Sequence, residues 1–154
     1  MIKYVEKDIL EMKVDLIAHQ VNTQGIMGGG LAKSIREKYT GVYSGYKGVC
    51  DLHDEDLLGN ILITKATDNI TIINLFAQEY AGGPGRLTDY DSLRESLTRT
   101  YNLMKAQNLK SIALPFNLGC GLAKGSWEVV EKIIEDIFKE DPKITCYICK
   151  LPNQ

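Results

Sequence analysis

The segment Leu16-Ile17-Ala18-His19-Gln20-Val21-Asn22 runs into Gly25-Ile26-Met27-Gly28-Gly29-Gly30-Leu31. A short apolar run ends in polar residues and passes into glycines. The next segment, Leu31 to Tyr39, has apolar residues at helical spacing. Strand, glycine turn, helix aims backbone N–H groups and a helix N-terminus at an anion. The pattern recurs once: Ile112 to Asn117 runs into Asn117-Leu118-Gly119-Cys120-Gly121-Leu122, with a helix expected from Trp127 to Lys139. Two such turns point to a ligand with more than one phosphate, or with a phosphate joined to a sugar.

Working outward, Ile2 to Val5 reads as a strand and Val42 to Cys50 as a helix weakened by its glycines. Asp51 to Asp56 reads as an acidic loop, with His53 solvated in it. The β-branched runs Gly59–Thr64 and Ile70–Leu75, split by Asp68-Asn69, predict a hairpin. Ala81 to Gly85 is a turn-rich loop. Asp89 or Asp91 is placed to cap a helix over Ser92–Gln107, and Lys143–Lys150 reads as the last strand. Strands alternating with helices predict an α/β sandwich whose sheet is largely parallel and mixed at the hairpin. Ligands of such sheets bind beyond the carboxyl ends of the strands, where both glycine turns fall.

The chain has 154 residues, expected to form one domain over 1–154. With 44% hydrophobic and 25% charged residues it reads as soluble and globular. A net charge of -2 argues against a nucleic-acid partner held on a broad basic surface. No apolar run approaches the roughly 18 residues of a membrane span. The interrupted, acidic start is not a signal peptide, so the cytoplasm is the expected location. Cys146 and Cys149 match half of a zinc or redox site, but no second such pair exists and a strand would turn them to opposite faces. No metal and no cofactor are expected.

Neither glycine turn is a P-loop or a dinucleotide fingerprint, which excludes kinases, ATPases and ordinary dehydrogenases. His19 can serve as general base or phosphate donor, against a structural reading as a hydrogen-bonded strand histidine. Asn22 can hold a ribose hydroxyl or orient a water. Asp8 can accept from an exocyclic amine of a base, or cap a turn. Lys33, Arg86 and Lys124 are candidates to screen phosphate, or plain surface residues.

Val14–Asn22, Gly28-Gly29-Gly30-Leu31-Ala32, Leu118–Leu122 and Trp127 together resemble the macrodomain family over nearly the whole chain. Its small branch includes terminal ADP-ribose–protein glycohydrolase and the ADP-ribose 1″-phosphate phosphatases. The resemblance implies a three-layer α/β/α macrodomain with a mixed, largely parallel central sheet. It also implies ADP-ribose or a related nucleotide as ligand. Asp8 and Ile9 match the adenine contacts, Asn22 the distal ribose, and Gly28, Gly29, Gly30 and Leu31 the first phosphate loop. Asn117, Leu118, Gly119, Cys120, Gly121 and Leu122 match the diphosphate loop, and Tyr147 the aromatic lining of the adenine pocket.

The departures are chemical. Where the glycohydrolase branch has a lysine nucleophile and an aspartate, this chain has Gln78 and Ala123. Ala32 and Ser126 stand where relatives carry acidic residues. His19 resembles the histidine of the phosphatase branch, with Asn22 beside it and Glu79, Asp89 or Asp91 as sources of a carboxylate. The expected function is therefore a non-catalytic reader or sponge of an ADP-ribose-type nucleotide. The alternatives are a metal-independent ADP-ribose 1″-phosphate phosphatase and a hydrolase acting on ADP-ribosylated protein.

Overall fold

The computed structural model describes residues 1–52 and 56–152. His53 lies outside the described residues, as does the middle of the expected acidic loop. Strands β1 (Ile2–Glu6), β2 (Leu16–Asn22), β3 (Ile61–Thr67), β4 (Ile70–Gln78), β5 (Ser111–Pro115) and β6 (Thr145–Lys150) form one sheet in the order β1-β6-β5-β2-β4-β3. All neighbours pair in parallel except β3 with β4. The fold is the mixed, largely parallel α/β architecture expected from the sequence.

Helices α1 (Gly30–Lys38) and α2 (Thr40–Leu52) cover one face; α3 (Tyr90–Gln107) and α4 (Trp127–Phe138) cover the other. Central β2 and β4 are buried along most of their length, whereas edge strand β3 alternates. The alternation of side chains sorts the core in two. Leu16 and Ala18 join Leu93, Leu97, Ile134 and Phe138 beneath α3 and α4. Ile17 and Val21 join Ile35, Val42, Tyr46 and Phe76 beneath α1 and α2. Cys146 and Cys149 fall in the first and second of these cores respectively, on opposite faces as their spacing requires.

Two expectations need correction. Helix α2 outruns Val42–Cys50 and absorbs Asp51 from the expected loop, because Val42, Tyr46 and Cys50 form one buried stripe while Gly41, Gly45 and Gly48 face open space. At the head of α3, Asp89 holds the N-cap position, but its carboxylate accepts from the Ser92 hydroxyl rather than from a helix N–H. Among the described residues, no helix is long and apolar enough to cross a membrane.

Candidate functional site

Parallel β1, β2, β4, β5 and β6 all end at one edge of the sheet, and the residues singled out from the sequence gather in the loops that follow. The first glycine loop connects β2 to α1, and Gly29 is the N-cap of α1. Among the described residues, no protein acceptor pairs with the N–H groups of Gly28, Gly29, Gly30 and Leu31. These are the open donors of a helix N-terminus, where the backbone dipoles favour negative charge. The second loop runs from Asn117, at φ 64°, to Lys124, at φ 59°. It is pinned by Cys120 N–H to Asn117 O at 2.8 Å and Gly125 N–H to Gly119 O at 2.8 Å. Again among the described residues, the N–H groups of Gly121, Leu122 and Ala123 stay without a protein acceptor.

The two loops meet. An ideal Cβ on Gly29 would stand 2.5 Å from Leu122 Cδ1, so the exposed Leu122 side chain lies across the first loop and would have to turn aside for any larger residue there. Both loops therefore carry backbone amides without a protein acceptor among the described residues, and they touch at Gly29 and Leu122. The cations proposed from the sequence are engaged elsewhere. Lys33 faces Glu37 at 4.0 Å, Arg86 lies 4.1 Å over the Tyr90 ring, and Lys124 Nζ donates to Gly83 O at 3.4 Å.

Asn22 is 7% exposed, and its amide is spent on the loop. Its Oδ1 accepts from Gln24 N–H at 3.0 Å and Ile26 N–H at 3.3 Å, and its Nδ2 donates to Ile26 O at 2.8 Å. Such a residue shapes the turn that delivers the glycines.

Beneath the second loop lies an amide network that sequence reading missed. Gln20 Nε2 donates to Gln78 Oε1 and Thr88 Oγ1, both at 2.9 Å, and Thr88 Oγ1 donates to Gly119 O at 2.6 Å. Gln78, at the lysine position of the resemblance, is a neutral member of this network and donates to Tyr80 O. Ala123 is buried, and its carbonyl accepts from the Leu87 and Thr88 N–H groups. Thr88 and Gln20 carried no local motif; their partners are 31 to 68 residues away in sequence.

His19 is 1% exposed, on the α1/α2 face of the sheet. Its partner is Asn74 on the neighbouring strand, with Nε2 to Oδ1 at 2.5 Å, rather than Glu79, Asp89 or Asp91. Burial pushes its pKa down from 6.5 to about 4, only partly offset by the Asn74 bond. The ring is neutral at physiological pH and turned into protein. A histidine held neutral in the fold costs stability when the unfolded chain protonates first. Stability is therefore expected to hold above pH 6.5 and to fall by about 1.4 kcal/mol per pH unit as pH drops from 6.5 towards 4. Asp136 and Asp141, held below their usual range by Lys132 and Arg94 and by Tyr101 respectively, contribute losses only at lower pH. Chemical denaturation across this window, compared with His19→Gln, checks the slope; an equal slope in both would assign it elsewhere.

At the other end of the edge, Asp8 caps a short 3₁₀ turn (Ile9–Glu11) by accepting from Leu10 N–H through Oδ1 at 2.9 Å. Its second oxygen has no protein partner among the described residues. Ile9 is buried. Tyr147 is half-buried on the α1/α2 face, in register with Ala113. Cys149, two residues on along the same face, has Lys7 and Asp8 as its charged neighbours. This corner pairs a free carboxylate oxygen with apolar walls. In the second loop, Cys120 is half-buried and burial pushes its thiol up to about 11, so it is not a ready nucleophile.

Comparison with known proteins shows the family to which this fold belongs. A family model described as the Macro domain matches residues 18–134. The DNA ADP-ribosyl glycohydrolase of Mycobacterium tuberculosis is 27% identical over 151 residues, covering 96% of this chain; the chain spans only 42% of that protein. The ADP-ribose glycohydrolase OARD1 of Homo sapiens is 28% identical over 148 residues, covering 95% of this chain and 90% of that protein. Among solved structures, the macrodomain of Thermus aquaticus DarG superimposes with a TM-score of 0.82 at 23% identity, over 99% of both chains.

Proposed function

Because this chain belongs to the Macro domain family, we propose that it binds ADP-ribose or a close derivative across the two glycine loops and holds it without cleaving it. The observation that carries the proposal is the pairing of the two amide rows with the free Asp8 oxygen on the same sheet edge. Backbone donors chelate a diphosphate, and the carboxylate accepts from an adenine amino group.

Cleavage would need a group at the loops able to move a proton. A general acid or base must reach the proton it moves, within about 3 Å or through one water. His19 is buried, neutral and bonded to Asn74. Asn22 is committed to its own loop, and Gln78 and Ala123 carry neither charge nor nucleophile. Preorganised amides still stabilise charge, but a stabilising cradle without a proton-transfer group binds more than it turns over.

Prolonged incubation of the protein with ADP-ribose 1″-phosphate and with an ADP-ribosylated peptide, followed by mass spectrometry, tests this part. Both are expected back intact. Loss of the phosphate would replace the reading by the phosphatase alternative, and release from the peptide by the protein hydrolase. Because the mycobacterial relative is named for DNA ADP-ribosyl groups, an ADP-ribosylated oligonucleotide belongs in the same experiment.

A further inference from the structure

Tyr46 is fully buried on α2, 24 residues after Asn22, yet its hydroxyl reaches that hub of the first glycine loop. The Tyr46 hydroxyl lies 2.7 Å from both Asn22 O and Asn22 Oδ1. The backbone of Gly25 and Ile26 faces the same hydroxyl. Its ring is fixed from the other side, 6.0 Å from Phe76 of β4 in a stacked arrangement. Asn22 Oδ1 holds the Gln24 and Ile26 N–H groups, and Asn22 Nδ2 holds Ile26 O. The chain of contacts is therefore β4, Tyr46, Asn22, the Gln24–Ile26 turn, and then the open amides from Gly28 onward.

We infer that Tyr46 is a positioning residue for the anion-binding loop, acting through Asn22 without touching ligand. This rests on the reading of the preceding section and adds to it a determinant on α2. The physical basis is preorganisation. A loop already fixed in its binding conformation loses no further freedom when ligand arrives. Tyr46→Phe keeps the ring on Phe76 and removes only the hydroxyl, so a packing role and a positioning role separate.

Amide hydrogen exchange on the ligand-free protein reads the loop directly. In Tyr46→Phe, exchange at Gln24 and Ile26 is expected to rise about tenfold, the scale of one lost hydrogen bond, with protection in β2 and β4 unchanged. Affinity for ADP-ribose is expected to fall by a similar factor. Unchanged exchange at Gln24 and Ile26 overturns the inference, and so does faster exchange with undiminished affinity. Should Tyr46→Phe fail to fold, Asn22→Asp serves instead. It keeps the acceptor for the Tyr46 hydroxyl and for the Gln24 and Ile26 N–H groups and loses only the donation to Ile26 O, so protection at Gln24 and Ile26 is expected to survive; its loss there would overturn the inference. Wild-type protein that binds pyrophosphate but not ADP-ribose would remove the nucleotide reading and leave the positioning test standing on pyrophosphate. Binding of neither would overturn both.

Discussion

Gly119→Ala is expected to lower affinity for ADP-ribose by about 30-fold or more while the sheet stays folded. Gly119 has φ 71°, a left-handed conformation that costs an alanine about 1–2 kcal/mol. Its new Cβ would stand 2.7 Å from Gln20 Oε1 and 2.9 Å from Thr88 Oγ1. Neither atom can simply swing aside. Gln20 is bonded to Gln78 and Thr88, and Thr88 donates to the Gly119 carbonyl. Displacing them adds roughly 1 kcal/mol for a broken hydrogen bond. A combined cost of about 2–3 kcal/mol makes a displaced loop the dominant one, and apparent affinity falls with the fraction still competent. Calorimetry with ADP-ribose, alongside thermal melting, measures both sides. Gly121→Ala is the informative partner, since nothing lies within 4 Å of its Cβ position. Affinity lost there with stability intact would place the ligand against the second loop. Wild-type affinity in Gly119→Ala would mean that the loop conformation seen here is not the binding one.

The second large effect belongs to Asp8, whose two oxygens do different work. One accepts from Leu10 N–H; the other has no protein partner among the described residues and, on the proposed function, accepts from an adenine amino group. Asp8→Ala removes both and is expected to cost about 1–3 kcal/mol in ADP-ribose binding, the scale of leaving a polar partner unpaired. It also loses the cap, worth about 1 kcal/mol of local stability. Asp8→Asn separates the two. Its carbonyl keeps the cap, while its amide nitrogen turns a donor towards a donor. The expected outcome is near-wild-type melting with affinity reduced about tenfold or more. Ribose 5-phosphate, which lacks the base, is expected to bind all three proteins alike. Undiminished ADP-ribose affinity in Asp8→Asn would detach Asp8 from the base.

How much of this was legible in the sequence follows from the range of the interactions. The glycine turns, the parallel strands and the hairpin at Asp68-Asn69 are local patterns, and they led to the correct sheet. The glycines of α2 lower its propensity, so sequence alone shortens the helix, whereas the stripe of Val42, Tyr46 and Cys50 buried against the sheet extends it. The site divides in the same way. Gly28 to Leu31 and Asn117 to Leu122 announce themselves by composition. Tyr46, Gln20 and Thr88 do not, since each acts on a loop distant in sequence. His19 shows the limit most plainly. Its position beside a phosphate-type loop invited a catalytic reading, and only the register of β2 against β4 reveals Asn74 as its partner, 55 residues on. Asn22 was noticed for the ligand, while its bonds run to its own turn.

On the proposed function, the backbone amides of the two loops and one carboxylate form a nucleotide diphosphate site. Titration calorimetry of ADP-ribose into the wild-type chain near neutral pH tests it most directly. Saturable binding of one ligand per chain is expected, undiminished by a metal chelator and competed by ADP. No saturable heat at ligand concentrations well above those of the protein, or binding that ADP does not compete, would contradict it.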